Sequence, residues 1–324
     1  MKKGNSLLEV DEVKITIIMD NTIDAFLTGS EIVHRFNMSK GPLIADDGFS
    51  TLLGEHGFSA MIQVKCGKKQ ATVLLDTGMS PNGILHNAAT MEINLNVIQA
   101  IILSHGHVDH TMGLPNLLDK LDSPQIPLIC HPDALLDRKL IMPSGYEVNV
   151  SAPKLTTSQQ MKIAMVNKTA PTLLVDNMVL VSGEITRTTD FETGFPIHYT
   201  KRGERWENDP LVRDDQCVIV NVRGKGLVII TGCCHAGLIN TINYAQALTN
   251  CQQIYAVLGG FHLTGGIFEK IIPKTIDELQ KILPTYLMPG HCTGASAINQ
   301  IAHAMPKAFI PNNVGTTLVF QAEN

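Results

Sequence analysis

The chain has 324 residues, 44% of them hydrophobic, and a formal net charge of −5. That length and apolar content allow a large buried core and exclude disorder, while the acidic balance without any run of Lys or Arg excludes the electrostatic footprint of a nucleic-acid binder. No stretch nears the roughly 18 apolar residues of a membrane span, and the first ten residues lead into no sustained apolar run, so neither a span nor a secretory signal is expected.

In chain order, short β-branched runs bounded by Gly, Asp, Asn or Pro predict strands at 13–19, 60–65, 71–75, 100–103 and 126–129, with helical spacing at 83–95 and 113–121. A strand at 178–181 follows. The segment 185–215 is polar and charged, with Phe191, Phe195, Tyr199 and Trp206 among Arg187, Lys201, Arg202, Arg205 and Arg213; it is predicted as a long loop, either functional or a solvated excursion. Beyond it come strands at 217–222 and 227–230, a helix at 236–248, a strand at 254–258, helices at 275–282 and 295–305, and a last strand at 316–320. Strands cluster in the first half and alternate with helices in the second, which predicts a layered α/β fold in one domain, 1–324. Seven cysteines, odd in number and scattered, argue against a disulfide framework and for a reducing, cytoplasmic setting.

The strand at 100–103 runs into Ser104-His105-Gly106-His107-Val108-Asp109-His110. Three imidazoles and a carboxylate within six residues, at the point where a strand gives way to a loop, suit a borderline cation such as zinc, and the small Gly106 lets the backbone turn so that they converge. By chance such a string arises on the order of once per thousand chains of this composition, so a ligand cluster is the better reading. The strand at 227–230 leads into Thr231-Gly232-Cys233-Cys234-His235-Ala236-Gly237, and Met288-Pro289-Gly290-His291-Cys292-Thr293-Gly294 stands ahead of the last predicted helix.

These strings, together with Leu74-Leu75-Asp76-Thr77-Gly78, resemble the metallo-β-lactamase superfamily over residues 13 to 320. The resemblance implies an αββα sandwich and one or two divalent ions, zinc first and iron or manganese also suited. It places His105 and His107 on one ion and Asp109, His110 and His291 on the second, with Asp76 supporting the loop by hydrogen bonding and not as a ligand. Either Cys233 or His235 completes the set. His235 is favoured, as an imidazole just past a strand end, with Cys234 packing inward as a small hydrophobe. His262, after the paired glycines of Gly259-Gly260-Phe261, is expected to line the substrate cleft or to be a core histidine. His131 and His198 are expected to contribute from loops, and His34, His56, His86 and His303 to be structural or exposed.

Two adjacent ions acidify a bridging water, clamp an anionic oxygen and stabilise a leaving group, so hydrolysis of a small ester or phosphoester is expected, with Asp109 orienting the nucleophile. No G-x-S-x-G elbow or Walker loop offers a rival chemistry. The combined motifs, including Gly259-Gly260-Phe261-His262-Leu263, are similar to the dihydropterin synthase-like group, which implies an alternative: a transferase displacing diphosphate from a pterin. A third reading is a metal-bearing ligand sensor, marked by tight binding without turnover. The aromatic and basic residues of 185–215, Trp206 and Arg205 among them, are expected to hold a phosphorylated heterocycle, since aromatic faces stack on such rings and Arg forks bind phosphate.

Overall fold

The computed structural model describes residues 6–36 and 51–323. Two large sheets face each other across one apolar core. The first has eight strands in the order Ile163–Asn167, Ile126–Cys130, Ala100–Ile102, Lys69–Leu75, Ser59–Cys66, Glu12–Met19, Thr316–Gln321 and Val33–Arg35. The second runs Thr172–Leu174, Val179–Val181, Cys217–Val222, Gly226–Thr231, Ile254–Gly260 and Tyr286–Gly290, with Glu9–Val10 alongside Cys217–Val222.

Side chains alternate across each strand, and here both faces are apolar. In Lys69–Leu75, Val73 and Leu75 enter the core between the sheets while Leu74 meets Ile84, Leu114 and Leu117 on the helices Gly83–Thr90 and Leu114–Lys120. In Gly226–Thr231, Val228 and Ile230 enter the shared core, while Leu227 and Ile229 pack with Ile242, Leu279 and Ile301 of helices Leu238–Thr249, Ile272–Ile282 and Ala295–Ala304. The result is the helix–sheet–sheet–helix sandwich expected of the sequence.

Three differences have clear causes. The helix expected at 83–95 stops at Thr90, because the backbone turns at Glu92 (φ 57°) and the apolar spacing continues into a short 3-10 turn, Leu95–Val97. Tyr286–Gly290 is a strand despite Pro289; it lies at the edge of its sheet, where a missing N–H is tolerated. The segment 185–215 is not a continuous loop. It carries an antiparallel hairpin, His198–Arg202 with Arg205–Asn208, which pairs with Arg138–Ile141 and, through it, Glu147–Asn149 in a separate four-stranded sheet. All four residues of Arg205–Asn208 are exposed, so no apolar alternation marks them in the sequence.

Candidate metal centre

Strands Lys69–Leu75 and Ala100–Ile102 run parallel, as do Gly226–Thr231, Ile254–Gly260 and Tyr286–Gly290. The residues just past their carboxyl ends are Asp76, His105, Cys233 with His235, His262, and His291, and the residues there form one cluster. Asp76, Cys234, His262 and His291 all have positive φ (58°, 67°, 46° and 47°), a backbone state that non-glycine residues adopt at a cost and that concentrates at functional sites. At Gly106 a Cβ would overlap the Ala134 carbonyl, and at Gly232 it would overlap the Ser104 hydroxyl, so both positions need glycine for close approach.

Asp76 organises the loop. It accepts from Ser104 N (2.7 Å), from Ser104 Oγ (2.6 Å) and from His110 Nδ1 (2.7 Å). The single Ser104 hydroxyl proton goes to Asp76, so the 2.9 Å contact to His105 Nδ1 must be donated by the imidazole. Both His105 and His110 are thereby held as tautomers whose Nε2 carries a lone pair. The strand-end segment is braced from the other side: Gln216 donates through N and Nε2 to the Ser104 and Leu103 carbonyls, and Gly106 N donates to Asp214. Asp214 is in turn paired at 2.7 Å with Arg138, both side chains fully buried.

The donors fall into two separate groups and a third, Cys233, His235 and His262, that shares a member with each of them. His105, His107 and His235 are buried, with ligand atoms all within 4.8 Å of one another. Among the described residues, His105 Nε2, His107 Nε2 and both His235 nitrogens have no hydrogen-bond partner. Such orphaned nitrogens are rare in protein interiors and fit a bound cation. Asp109, His110, Cys233 and His291 form the second group. His110 Nε2 lies 3.1 Å from both Cys233 Sγ and His291 Nε2, those two are 3.2 Å apart, and Asp109 Oδ2 is 3.3 Å from His291 and 3.5 Å from His110. Tetrahedral bonds of about 2.0–2.3 Å place ligand atoms roughly 3.3–3.7 Å apart, so this cage needs only slight expansion to take a zinc-sized ion.

The sequence set Cys233 and His235 as alternatives; the fold uses the chain reversal at Cys234 to point them into different groups, while Cys234 itself packs inward, its Sγ 3.3 Å from Thr241 Oγ1. His291 is positioned by Asp20, which accepts from its backbone N (2.9 Å) and from Asn312 Nδ2 (2.7 Å).

Charge follows the same division. Burial first, then the neighbouring imidazoles, push His105, His107 and His235 well below the usual histidine range, leaving them neutral. Burial pushes Asp109 up, but His110 and His291 outweigh it and hold the carboxylate well below its ordinary value. Burial likewise opposes a charge on His110, yet Asp109 and Asp76 raise it, so a proton and a cation compete for the second group. Burial also raises the Cys233 thiol well above its usual range.

Two other histidines stand beside the cluster. His56, expected to be structural or merely exposed, stacks on His291 at 4.8 Å with Nε2 3.9 Å from Asp109 Oδ2, and over half of its side chain is open to solvent. No motif surrounds it, so only the tertiary fold reveals it. His198 is buried with its ring 5.0 Å from His107 and its Nδ1 2.8 Å from the Asp209 carbonyl. His131 and His86 are instead occupied locally, His131 accepting from Asp133 N and His86 bonding the Thr51 carbonyl. The aromatic residues of 185–215 divide: Phe191 lines a cavity beside His235 and Phe195 stacks on His235 at 5.8 Å, whereas Trp206 sits under Lys139 (4.6 Å) on the outlying hairpin, with Arg205 exposed beside it.

Fold and cluster together define a two-sheet sandwich with a metal-ligand constellation at its strand ends. The metallo-beta-lactamase superfamily model matches residues 54–248, more than half of the chain, and the chain belongs to that superfamily. It is 28% identical over 278 residues, 84% of its length and 92% of the relative's, to the 7,8-dihydropterin-6-methyl-4-(beta-D-ribofuranosyl)-aminobenzene-5'-phosphate synthase of Methanocaldococcus jannaschii. It is 29% identical over 281 residues, 84% of its length and 96% of the relative's, to an uncharacterised protein of the same organism. A crystal structure of a metal-dependent hydrolase of the beta-lactamase superfamily shares the fold with a TM-score of 0.70 at 21% identity, over 96% of this chain and 100% of that one. Among the described residues no helix is long and apolar enough to cross a membrane.

Proposed function

We propose that this chain is a metal-dependent hydrolase of a small ester or phosphoester, acting in the cytoplasm with two divalent cations. His105, His107 and His235 hold one, and Asp109, His110, Cys233 and His291 the other. The observation that carries this reading is the spacing of the second group, where His110 Nε2, Cys233 Sγ, His291 Nε2 and Asp109 Oδ2 converge to 3.1–3.5 Å, close to the edge lengths of a tetrahedral cage. A thiolate among imidazoles and a carboxylate favours zinc over harder ions. Cations held by these residues would supply Lewis acidity toward water and an anionic substrate oxygen.

The chain's own groups do the rest. Asp76 and Ser104 keep two imidazoles in the ligating tautomer. Asp109, 14% exposed where the His110 and His291 side chains are fully buried, reaches the mouth of the site and orients the attacking water. His56, lowered by burial first and by His291 next, stands neutral beside it as a hydrogen-bonding partner for substrate.

A second reading is a synthase of the kind named for the Methanocaldococcus relative, supported by similarity across nearly the whole of both chains. There an amine replaces water as the nucleophile and diphosphate departs. The two readings are separated by metal analysis with a screen of phosphoesters, lactones, thioesters and dihydropterin diphosphates, comparing the native chain with Asp109→Asn. Turnover of an ester with bound metal, reduced at least about 100-fold in the variant, supports hydrolysis. A protein that takes up no divalent ion, or a variant as active as the native chain, overturns it; tight binding of a ligand without turnover marks a sensor.

A further inference from the structure

We propose that the cavity beside His235 is a subsite for an uncharged, planar aromatic group of the substrate, and that His262 is the residue that recognises it. This rests on the metal-dependent reading above, because it sets that group against a ligand imidazole.

The cavity measures about 170 Å³, with Phe191, Pro196, Leu238 and Phe268 on its apolar wall and His235 and His262 at its polar end. No lysine or arginine among the described residues lines it. Its one acid, Glu192, is fully engaged, accepting from the backbone N of Ile239 and Asn240 (2.8 Å each) and from Thr189 Oγ1 (3.0 Å). Away from the His235 end, the side chains that line the cavity offer no unused counter-charge for a phosphate or an ammonium group, so the part of the substrate seated against this wall is uncharged.

Ring geometry makes it flat. Phe195, His262 and Phe268 form an edge-to-face triad, with centroids 5.2 Å apart at 67° (Phe195 to His262), 4.3 Å at 75° (His262 to Phe268) and 5.5 Å at 60° (Phe195 to Phe268). His235 lies 4.1 Å from His262 on the other side. Such ring faces and edges reward a planar ring over a puckered one.

His262 supplies the polar contact. Both of its ring nitrogens are buried and, apart from the neighbouring Cys292 thiol, meet no polar partner among the described residues, and its backbone is held at φ 46°. Cys233 and His235, whose ligand atoms come within 4.8 Å, already belong to the two ligand groups. Strain and an unmet hydrogen-bonding need on one residue at a strand end point to a partner that arrives with the ligand.

The test titrates 2-naphthol and its saturated counterpart, decahydro-2-naphthol, into the zinc-loaded full chain by calorimetry, with metal content measured on the same samples. Naphthol should bind about tenfold more tightly than the puckered analogue, and His262→Ala or the volume-conserving Phe268→Leu should each weaken it about tenfold while metal content is unchanged. Equal binding of the two alcohols, or Phe268→Leu without effect, overturns the subsite. Loss of metal in His262→Ala also overturns it, by making His262 a third-group ligand with Cys233 and His235. Naphthol discrimination without turnover of any ester sinks the hydrolase reading alone, and turnover without discrimination sinks the subsite alone.

Discussion

Asp76 touches no proposed cation, yet its replacement by Asn should release one. Asn tolerates the positive φ of this position, so the variant is expected to fold. Its carbonyl can still accept from Ser104 N, but its amide donors face the Ser104 hydroxyl and His110 Nδ1, both of which now donate to Asp76 at 2.6 and 2.7 Å. To avoid two donors meeting, His110 must shift its proton to Nε2. That proton then points at Cys233 and His291, 3.1 Å away, in place of a lone pair for the cation. Losing a buried partner of a ligating histidine costs about 10- to 100-fold in metal affinity. In the metal-free protein, the unpaired buried donor lowers folding stability by about 1–3 kcal/mol. Competition against a chromophoric chelator measures the first and urea unfolding of chelated protein the second. The effect should fall mainly on the Asp109, His110, Cys233, His291 position, because His105 feels Asp76 only through Ser104. If Asp76→Asn held both ions within about threefold of native affinity, the tautomer argument would be wrong.

Cys233→Ser exchanges a soft thiolate for a hydroxyl that stays protonated; the cobalt-loaded variant should lose its sulfur charge-transfer absorption and bind one ion at least about tenfold more weakly. Asp214→Ala leaves Arg138 charged and fully buried with Gly106 N unpaired, so urea unfolding should show a loss of about 3–5 kcal/mol, part of which returns when Arg138 is also replaced by Met. Asp215, pushed up to about 7 chiefly by burial and further by Asp214, binds its proton more tightly folded than unfolded. The stability it adds is full below about pH 4 and is lost as pH rises through 7, by up to about 4 kcal/mol; in chelated protein Asp215→Asn should flatten the decline between pH 5 and 7.

Much of this molecule is readable without coordinates, for identifiable reasons. Central strands such as Lys69–Leu75 and Gly226–Thr231 are apolar on both faces and appear as short continuous runs, and the donors at their ends follow within a few residues. Local spacing therefore singled out His105, His107, Asp109 and His110, while His235 and His291 were picked out by the resemblance of their motifs. What local spacing cannot convey is direction. Cys233 and His235 are two residues apart and read as rivals, but the positive φ of Cys234 sends them to different groups. His56 joins the site only because the segment before Ser59–Cys66 folds over His291, a residue more than 200 positions away. The hairpin in 185–215 pairs with Arg138–Ile141, and its exposed outer strand has no apolar period to announce it, so composition suggested a loop where the fold builds a strand that sets Trp206 in a cleft with Lys139, Lys154 and Lys201.

The tie between Asp20 and His291 has a consequence for how the protein is made. On the proposed ligand set, donors for the second cation run from Asp109 to His291, and the backbone N–H that orients His291 is held by the end of a strand from the beginning of the chain. A ribosome-bound fragment short of that histidine has no complete second position and must keep its early strands soluble without a cation. Capture of the second ion is then a late event that locks the strand Glu12–Met19 against the segment around His291, so starvation for metal should show up first as protease sensitivity at those two places.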